Sequence, residues 1–173
     1  MLRASTPKKF RSAARVSLRP KPSVPSVRKR RPSGTKAQVT LLGSGAILTE
    51  VVKAAQQLAA EGVVAEVFSV TSWSELARDG RAWEARTLAG EPDPGTPFIA
   101  RQLAGAAGPV IAASDYVRGV PESVRAVLPA GRRVLTLGTD GFGRSDTRAA
   151  LRNFFGVDAQ SIVRAARHAL GAR

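Results

Sequence analysis

Cysteine is absent from the 173 residues, and histidine, methionine and tyrosine each occur once. Without a thiol there is no disulfide, no thiolate nucleophile and no cysteine-ligated zinc or iron–sulfur centre; this fits a reducing compartment and points to the cytoplasm. The single imidazole, His168, leaves little room for a histidine-built metal site or a nucleophile–histidine triad. No apolar run approaches the roughly 20 residues of a membrane-spanning helix, so the chain is expected to be soluble and without a membrane partner. Acidic residues are missing from the first 37 positions, which instead hold 12 of the 27 Lys and Arg.

That asymmetry changes the meaning of the net charge of +14. Beyond residue 37, 15 basic residues face 13 acidic ones, so the basicity belongs to a tail and not to a folded face. The tail also carries five prolines, many serines and no sustained apolar period, and residues 1–37 are expected to be disordered. Two functional readings attach to it. An Arg- and Ser-rich, acid-free N-terminus has the composition of an organellar transit peptide, although prolines at 20, 22 and 25 break the amphipathic helix that import needs. Arg28-Lys29-Arg30-Arg31 is the type of run that binds nucleic acid or directs nuclear import, but it is also an ordinary solvated tail segment. The composition favours a tail without specific function, or a non-native start to a truncated reading frame.

From Val39 the pattern alternates short β-branched runs with helical segments. Val39–Leu42 predicts a buried strand, followed by Gly43-Ser44-Gly45 and a helix striped by Ile47, Val51, Ala54, Ala55 and Leu58, ending at Gly62. Residues 63–70 predict a second strand, completing a right-handed β-α-β unit. Ser72 and Glu75 have capping-box spacing for the next helix, and Trp73 and Trp83 are expected to pack against the sheet or a neighbour rather than stack on a ligand. Thr96-Pro97 is expected to cap and open a further helix after the loop 90–97. Residues 109–113 predict a third strand ending in Ser114-Asp115-Tyr116, Pro121 a short helix reaching Leu128, and 133–137 a fourth strand. Asp158 is expected to cap a last helix striped by Ile162, Ala166, Ala169 and Leu170, with His168 on its surface. Four strands alternating with helices make an α/β sheet covered on both faces, whose functional loops gather at the strand C-terminal ends.

Two loops on that edge carry candidate chemistry. Gly43-Ser44-Gly45 leads into a helix N-terminus and can hold a phosphate in principle, but Leu48 stands where a dinucleotide fingerprint needs Gly or Ala, and Glu66 is only a loose candidate for the ribose carboxylate. The second, Gly138-Thr139-Asp140-Gly141-Phe142-Gly143-Arg144-Ser145-Asp146-Thr147-Arg148, packs three glycines, two carboxylates and two arginines between a strand and a helix. Gly141 and Gly143 suggest backbone angles or close approaches closed to other residues, and Ser145 or Asp146 could cap the helix. Asp115, Asp140 and Asp146 are separate loop carboxylates with no evident convergent metal cage. Paired Arg and Asp on a glycine-shaped loop suit a polar interdomain or partner contact. Asp140, Phe142, Arg144, Ser145, Asp146, Arg148, Trp73 and Asp115 are therefore the contact candidates, with no catalytic, cofactor-binding or metal-binding residue assigned.

The stretches VTLLGSGAILTEVVKAAQQLAAEGVVAEVFSVTSWSELARDG, FIARQLAG, SDYVRGVPESVR and VLTLGTDGFGRSDTRAALRNFFGVDAQSIV together resemble the C-terminal domain of the homodimeric-type pyruvate dehydrogenase decarboxylase component. The resemblance covers nearly all of residues 38–170, with LGTDGFGRSDTR and SVTSW-x-EL-x-RDG the most specific parts. It implies a transketolase C-terminal-domain-like three-layer sandwich over 38–173, a mostly parallel sheet with helices on both faces. It also implies a thiamine diphosphate enzyme whose cofactor and Mg²⁺ are bound by two upstream domains from two subunits, and those domains have no counterpart here. The expectation is a structural, assembly-forming domain without turnover of its own, partnered as a homodimer or by the missing catalytic domains. The rivals are an active 2-oxo-acid dehydrogenase subunit with catalytic domains supplied in trans, and a nucleic-acid-binding protein acting through the tail.

Overall fold

The computed structural model describes residues 37–141 and 143–171; the expected disorder of the tail and the position of Phe142 lie outside them. Four strands, β1 (Val39–Gly43), β2 (Ala65–Ser69), β3 (Val110–Ala113) and β4 (Val134–Leu137), form one sheet in the order β2-β1-β3-β4. All three strand pairings are parallel. The chain steps outward from β1 to β2 and then crosses back to β3, so the direction of winding reverses between β1 and β3. In open parallel sheets the crevice beyond the strand C-termini at such a reversal is where ligands and partners are met.

Burial on both faces explains why β1 and β3 are continuous apolar runs instead of alternating ones. Val39, Leu41, Val67, Ile111 and Ala113 point to one layer, packed against α1 (Leu48–Ala60) and α6 (Ala159–Leu170). Leu42, Phe68, Val110 and Ala112 point to the other, against α2 (Trp73–Leu88) and α3 (Phe98–Leu103). The result is the three-layer α/β/α sandwich expected, with Ala37 already buried beneath it.

The predicted stripes of α1 and α6 are the buried faces of those helices, and Asp158 caps α6 by accepting from the Ser161 amide at 2.8 Å. Other helix ends differ from expectation. Ser72 accepts from the Glu75 amide at 3.2 Å, but the Glu75 carboxylate pairs with Arg78 at 2.8 Å, so only half of the capping box forms. The helix after Pro97 begins at Phe98, and its first amide donates to Asp79 of α2 at 2.6 Å instead of to Thr96. The segment from Pro121 to Leu128 breaks into α4 (Gly119–Glu122) and a 3₁₀ turn over Arg125–Val127, with Pro121 inside the first. Thr147, not Ser145 or Asp146, caps α5 (Arg148–Phe154), accepting from the Ala150 amide at 3.3 Å.

Candidate contact edge and cleft

The C-terminal ends of β1 and β3 are joined by a buried hydroxyl pair. Ser44 Oγ donates to Ser114 Oγ at 3.0 Å and accepts from Trp73 Nε1 at 2.9 Å, while the Tyr116 amide donates to Ser114 Oγ at 3.1 Å. Trp73 is therefore a core residue with its one polar atom satisfied, 3% exposed, and not a contact residue. Trp83 is half-buried and donates to the Gly95 carbonyl at 2.9 Å.

Beyond β4 the chain turns sharply against the loop that follows β3. A Cβ on Gly138 would stand 2.6 Å from both the Arg118 amide nitrogen and the Tyr116 carbonyl oxygen, and the Thr139 amide donates to that carbonyl at 2.9 Å. Asp140 completes the seam. One carboxylate oxygen accepts from the Arg118 amide at 2.8 Å and the other from the Arg118 guanidinium. The guanidinium bond, the amide bond and the neighbouring charge hold the Asp140 carboxyl below its usual range. Asp140 is thus spent inside the domain, tying two loops together.

Between this seam and α5 lies a cleft of about 390 Å³, lined by Asp115, Thr139, Arg144, Arg148 and Arg152 over a floor of Ile47, Leu151, Phe155 and Val157. Three of the expected contact residues, Asp115, Arg144 and Arg148, meet there. Ser145 and Asp146 are exposed but do not line it; Asp146 accepts from the Thr147 amide at 2.7 Å and lies 3.6 Å from Arg144. Arg144 also stacks over the Phe154 ring, 4.5 Å from its centroid. Tyr116, Val117 and Phe154 are 61%, 52% and 60% exposed.

The residue that anchors the cleft was not among the expected ones. Glu50 lies on the apolar stripe of α1, 6% exposed. Its carboxylate accepts from Arg152 at 2.8 Å, Lys53 at 3.0 Å and the Ala159 amide at 3.2 Å. Burial alone would raise its carboxyl pKa; the Lys53 and Ala159 hydrogen bonds and the charges of Lys53 and Arg152 more than offset this and hold it low. Glu50 so fixes α5 and the N-terminus of α6 to α1. The signal was available, because a carboxylate between Ile47 and Val51 on a buried face requires a partner.

The glycine turn after β1 is shaped for something other than a phosphate. Gly45 has φ +53°, and a Cβ there would be 2.9 Å from Asp115 Oδ1, so an acidic group fills the space over the turn. Glu66 sits in the middle of β2, paired with Thr40, and not at the strand end where a ribose would lie. Among the described residues, no three His, Asp or Glu side chains converge on a point that could hold a metal ion. These donors do not fit thiamine diphosphate with Mg²⁺. Among the described residues no helix is long and apolar enough to cross a membrane.

This parallel α/β/α domain, whose reversal edge carries a two-loop seam and a charged cleft, belongs to the class of open parallel sheets covered by helices on both faces. The sequence profile of the transketolase-like C-terminal domain matches residues 27–158, and the chain belongs to that family. It is 52% identical over 137 residues to the "Pyruvate dehydrogenase E1 component" of Mycobacterium tuberculosis, which covers 78% of this chain and 14% of the relative. The protein of that name from Escherichia coli K12 is 47% identical over 135 residues, 77% of this chain and 15% of the relative. The chain thus matches the C-terminal domain of pyruvate dehydrogenase E1 and spans about one seventh of these relatives. Among solved structures, "Split gene transketolase, inactive beta4 tetramer" superposes with a TM-score of 0.52 at 22% identity, over 79% of this chain and 40% of that one, and shows the shared fold.

Proposed function

We propose that residues 38–173 act as the C-terminal assembly domain of a pyruvate dehydrogenase decarboxylase component, in the cytoplasm, with residues 1–37 as a separate basic tail. The domain performs no turnover by itself. Its task is to present the β3 and β4 loops and the cleft beside them to the catalytic domains of the complex or to a second copy. The observation that carries this reading is that three carboxylates around the cleft serve internal bonds, Asp140 closing the loop seam, Asp158 capping α6 and Glu50 clamping α5, which leaves Asp115 alone open to a partner. Decarboxylation of a 2-oxo acid needs the thiamine carbanion as an electron sink, and the protein must position that cofactor against the substrate. Among the described residues no three His, Asp or Glu side chains converge to hold the Mg²⁺ that would accompany it. The exposed Tyr116, Val117 and Phe154 add an aromatic and apolar rim suited to protein contact.

The test is direct. The purified full chain, supplied with thiamine diphosphate, Mg²⁺ and pyruvate, is expected to show neither tight coenzyme uptake by calorimetry nor carbon dioxide release above a protein-free control. Turnover by the chain alone overturns the reading. Binding of duplex DNA that weakens with salt and disappears on deleting residues 1–36 would instead assign the tail a nucleic-acid role.

A further inference from the structure

Two opposite charges in the cleft are left without partners. Asp115 stands on the loop after β3 and Arg148 begins α5; both are exposed, both line the cleft, and neither makes a side-chain hydrogen bond or ion pair among the described residues. They do not pair with each other. The arginines beside them are engaged, Arg152 by Glu50 and the Ala46 carbonyl, Arg144 by the Phe154 ring and Asp146. Between the free acid and the free cation lies the floor of Ile47, Leu151, Phe155 and Val157.

From this we infer that the cleft receives a protein segment in which a carboxylate neighbours a large apolar side chain, supplied by the catalytic portion of the enzyme; the inference rests on the assembly reading above. The apolar side chain covers Leu151, Phe155 and Val157, the carboxylate takes the Arg148 guanidinium, and a backbone N–H of the segment donates to Asp115. Charge complementarity selects this occupant. Residues 1–37 contain no acid and cannot satisfy Arg148. The curated relatives carry more than four fifths of their length outside the stretch this chain matches, ample chain to supply such a segment. The rim of Tyr116 and Phe154 beside the arginines has the composition of a protein interface core, where aromatic residues and Arg are enriched.

The probes are N-acetyl-Asp-Phe amide and its Asn counterpart, titrated into the ¹⁵N-labelled full chain and followed by amide chemical shifts. The acidic peptide is expected to move the Arg148, Leu151, Phe155 and Val157 amides saturably. The Asn peptide, or the R148Q variant with the acidic peptide, should bind roughly fivefold more weakly, the upper range for an exposed ion pair. R148K, which keeps the charge, should retain part of the difference. Equal shifts with both peptides, shifts elsewhere, or none overturn the inference. So does protein-concentration-dependent broadening of the same resonances without peptide, which would make a second copy the occupant. The assembly reading fails separately, through turnover by the isolated chain.

Discussion

Glu50 Oε1 and Arg152 Nη1 lie 2.8 Å apart although 102 positions separate them in sequence, joining the first helix of the domain to the short helix beside the cleft. Glu50 is nearly enclosed, so its removal takes the charge partner from Arg152, which keeps only the Ala46 carbonyl at 3.4 Å, and leaves the Ala159 amide without its acceptor. Breaking a buried, hydrogen-bonded charge pair costs about 3 kcal/mol. E50A should lose about that much in urea unfolding. E50Q, which keeps an acceptor for Ala159, should lose less. Lys53 is 59% exposed, and K53A should fall within about 0.5 kcal/mol of wild type.

Acid should unfold the domain through the same carboxylate. Burial opposes the charge of Glu50 and of Asp158, but hydrogen bonds to each outweigh it, so both folded-state pKa values lie below the ordinary ones. A depressed carboxyl pKa contributes stability that is fully present above the unfolded-state pKa and is lost as pH falls through the folded-state value. The melting temperature should be flat from neutrality down to about pH 5 and fall below it. E50Q should show a shallower fall over the same range; a parallel curve would remove Glu50 from the account.

Within the second edge loop Gly138 is constrained by close approach and Gly141 by its φ of +123°, while position 143 has open space around it. A Cβ at Gly138 would meet backbone atoms at 2.6 Å, which no side-chain rotation can relieve, whereas one at Gly143 would meet nothing within 4 Å. G138A should lower stability by about 2 to 3 kcal/mol and disorder the Arg118–Asp140 seam. G143A should stay within about 0.5 kcal/mol of wild type. Denaturant midpoints of the two variants measured side by side decide it.

The strands and the long helices were legible because burial on two faces writes itself as unbroken Val, Leu and Ile, and burial on one as a stripe such as Val51, Ala54 and Leu58. What escaped was set by contacts between segments distant in sequence. Nothing local distinguishes Asp140, which closes a loop seam, from Asp146, which does not, since the difference is the position of Arg118. Of the two glycines picked out by spacing, Gly141 does have a left-handed backbone, φ +123°, whereas Gly143 meets nothing within 4 Å, and Gly138, not singled out by spacing, is constrained because the Tyr116 loop passes beside it. Trp73 packs in the core against the sheet as expected, but the acceptor of its indole N–H, Ser44 Oγ, lies 29 positions away and has no local sequence signal. Capping likewise fell one or two residues from its expected place at α5, because Thr147, with an extended backbone, is the residue whose side-chain oxygen reaches the Ala150 amide.

The buried Ser44–Trp73 bond offers the cleanest measure of what a polar contact contributes under the cleft edge. Trp73→Phe keeps an aromatic ring in the second core layer but removes the indole donor and part of the buried ring system, leaving Ser44 Oγ still donating to Ser114. Its cost should be about 2 to 3 kcal/mol, the lost hydrogen bond together with the space left in the core. Ser44→Ala deletes the shared oxygen and strands a buried indole N–H, an unsatisfied donor that costs about 1 to 3 kcal/mol. The S44A/W73F double variant has no stranded indole, so its loss should be smaller than the sum of the single losses by about 1 kcal/mol. Additive losses would mean that the indole N–H finds another partner once Ser44 is gone.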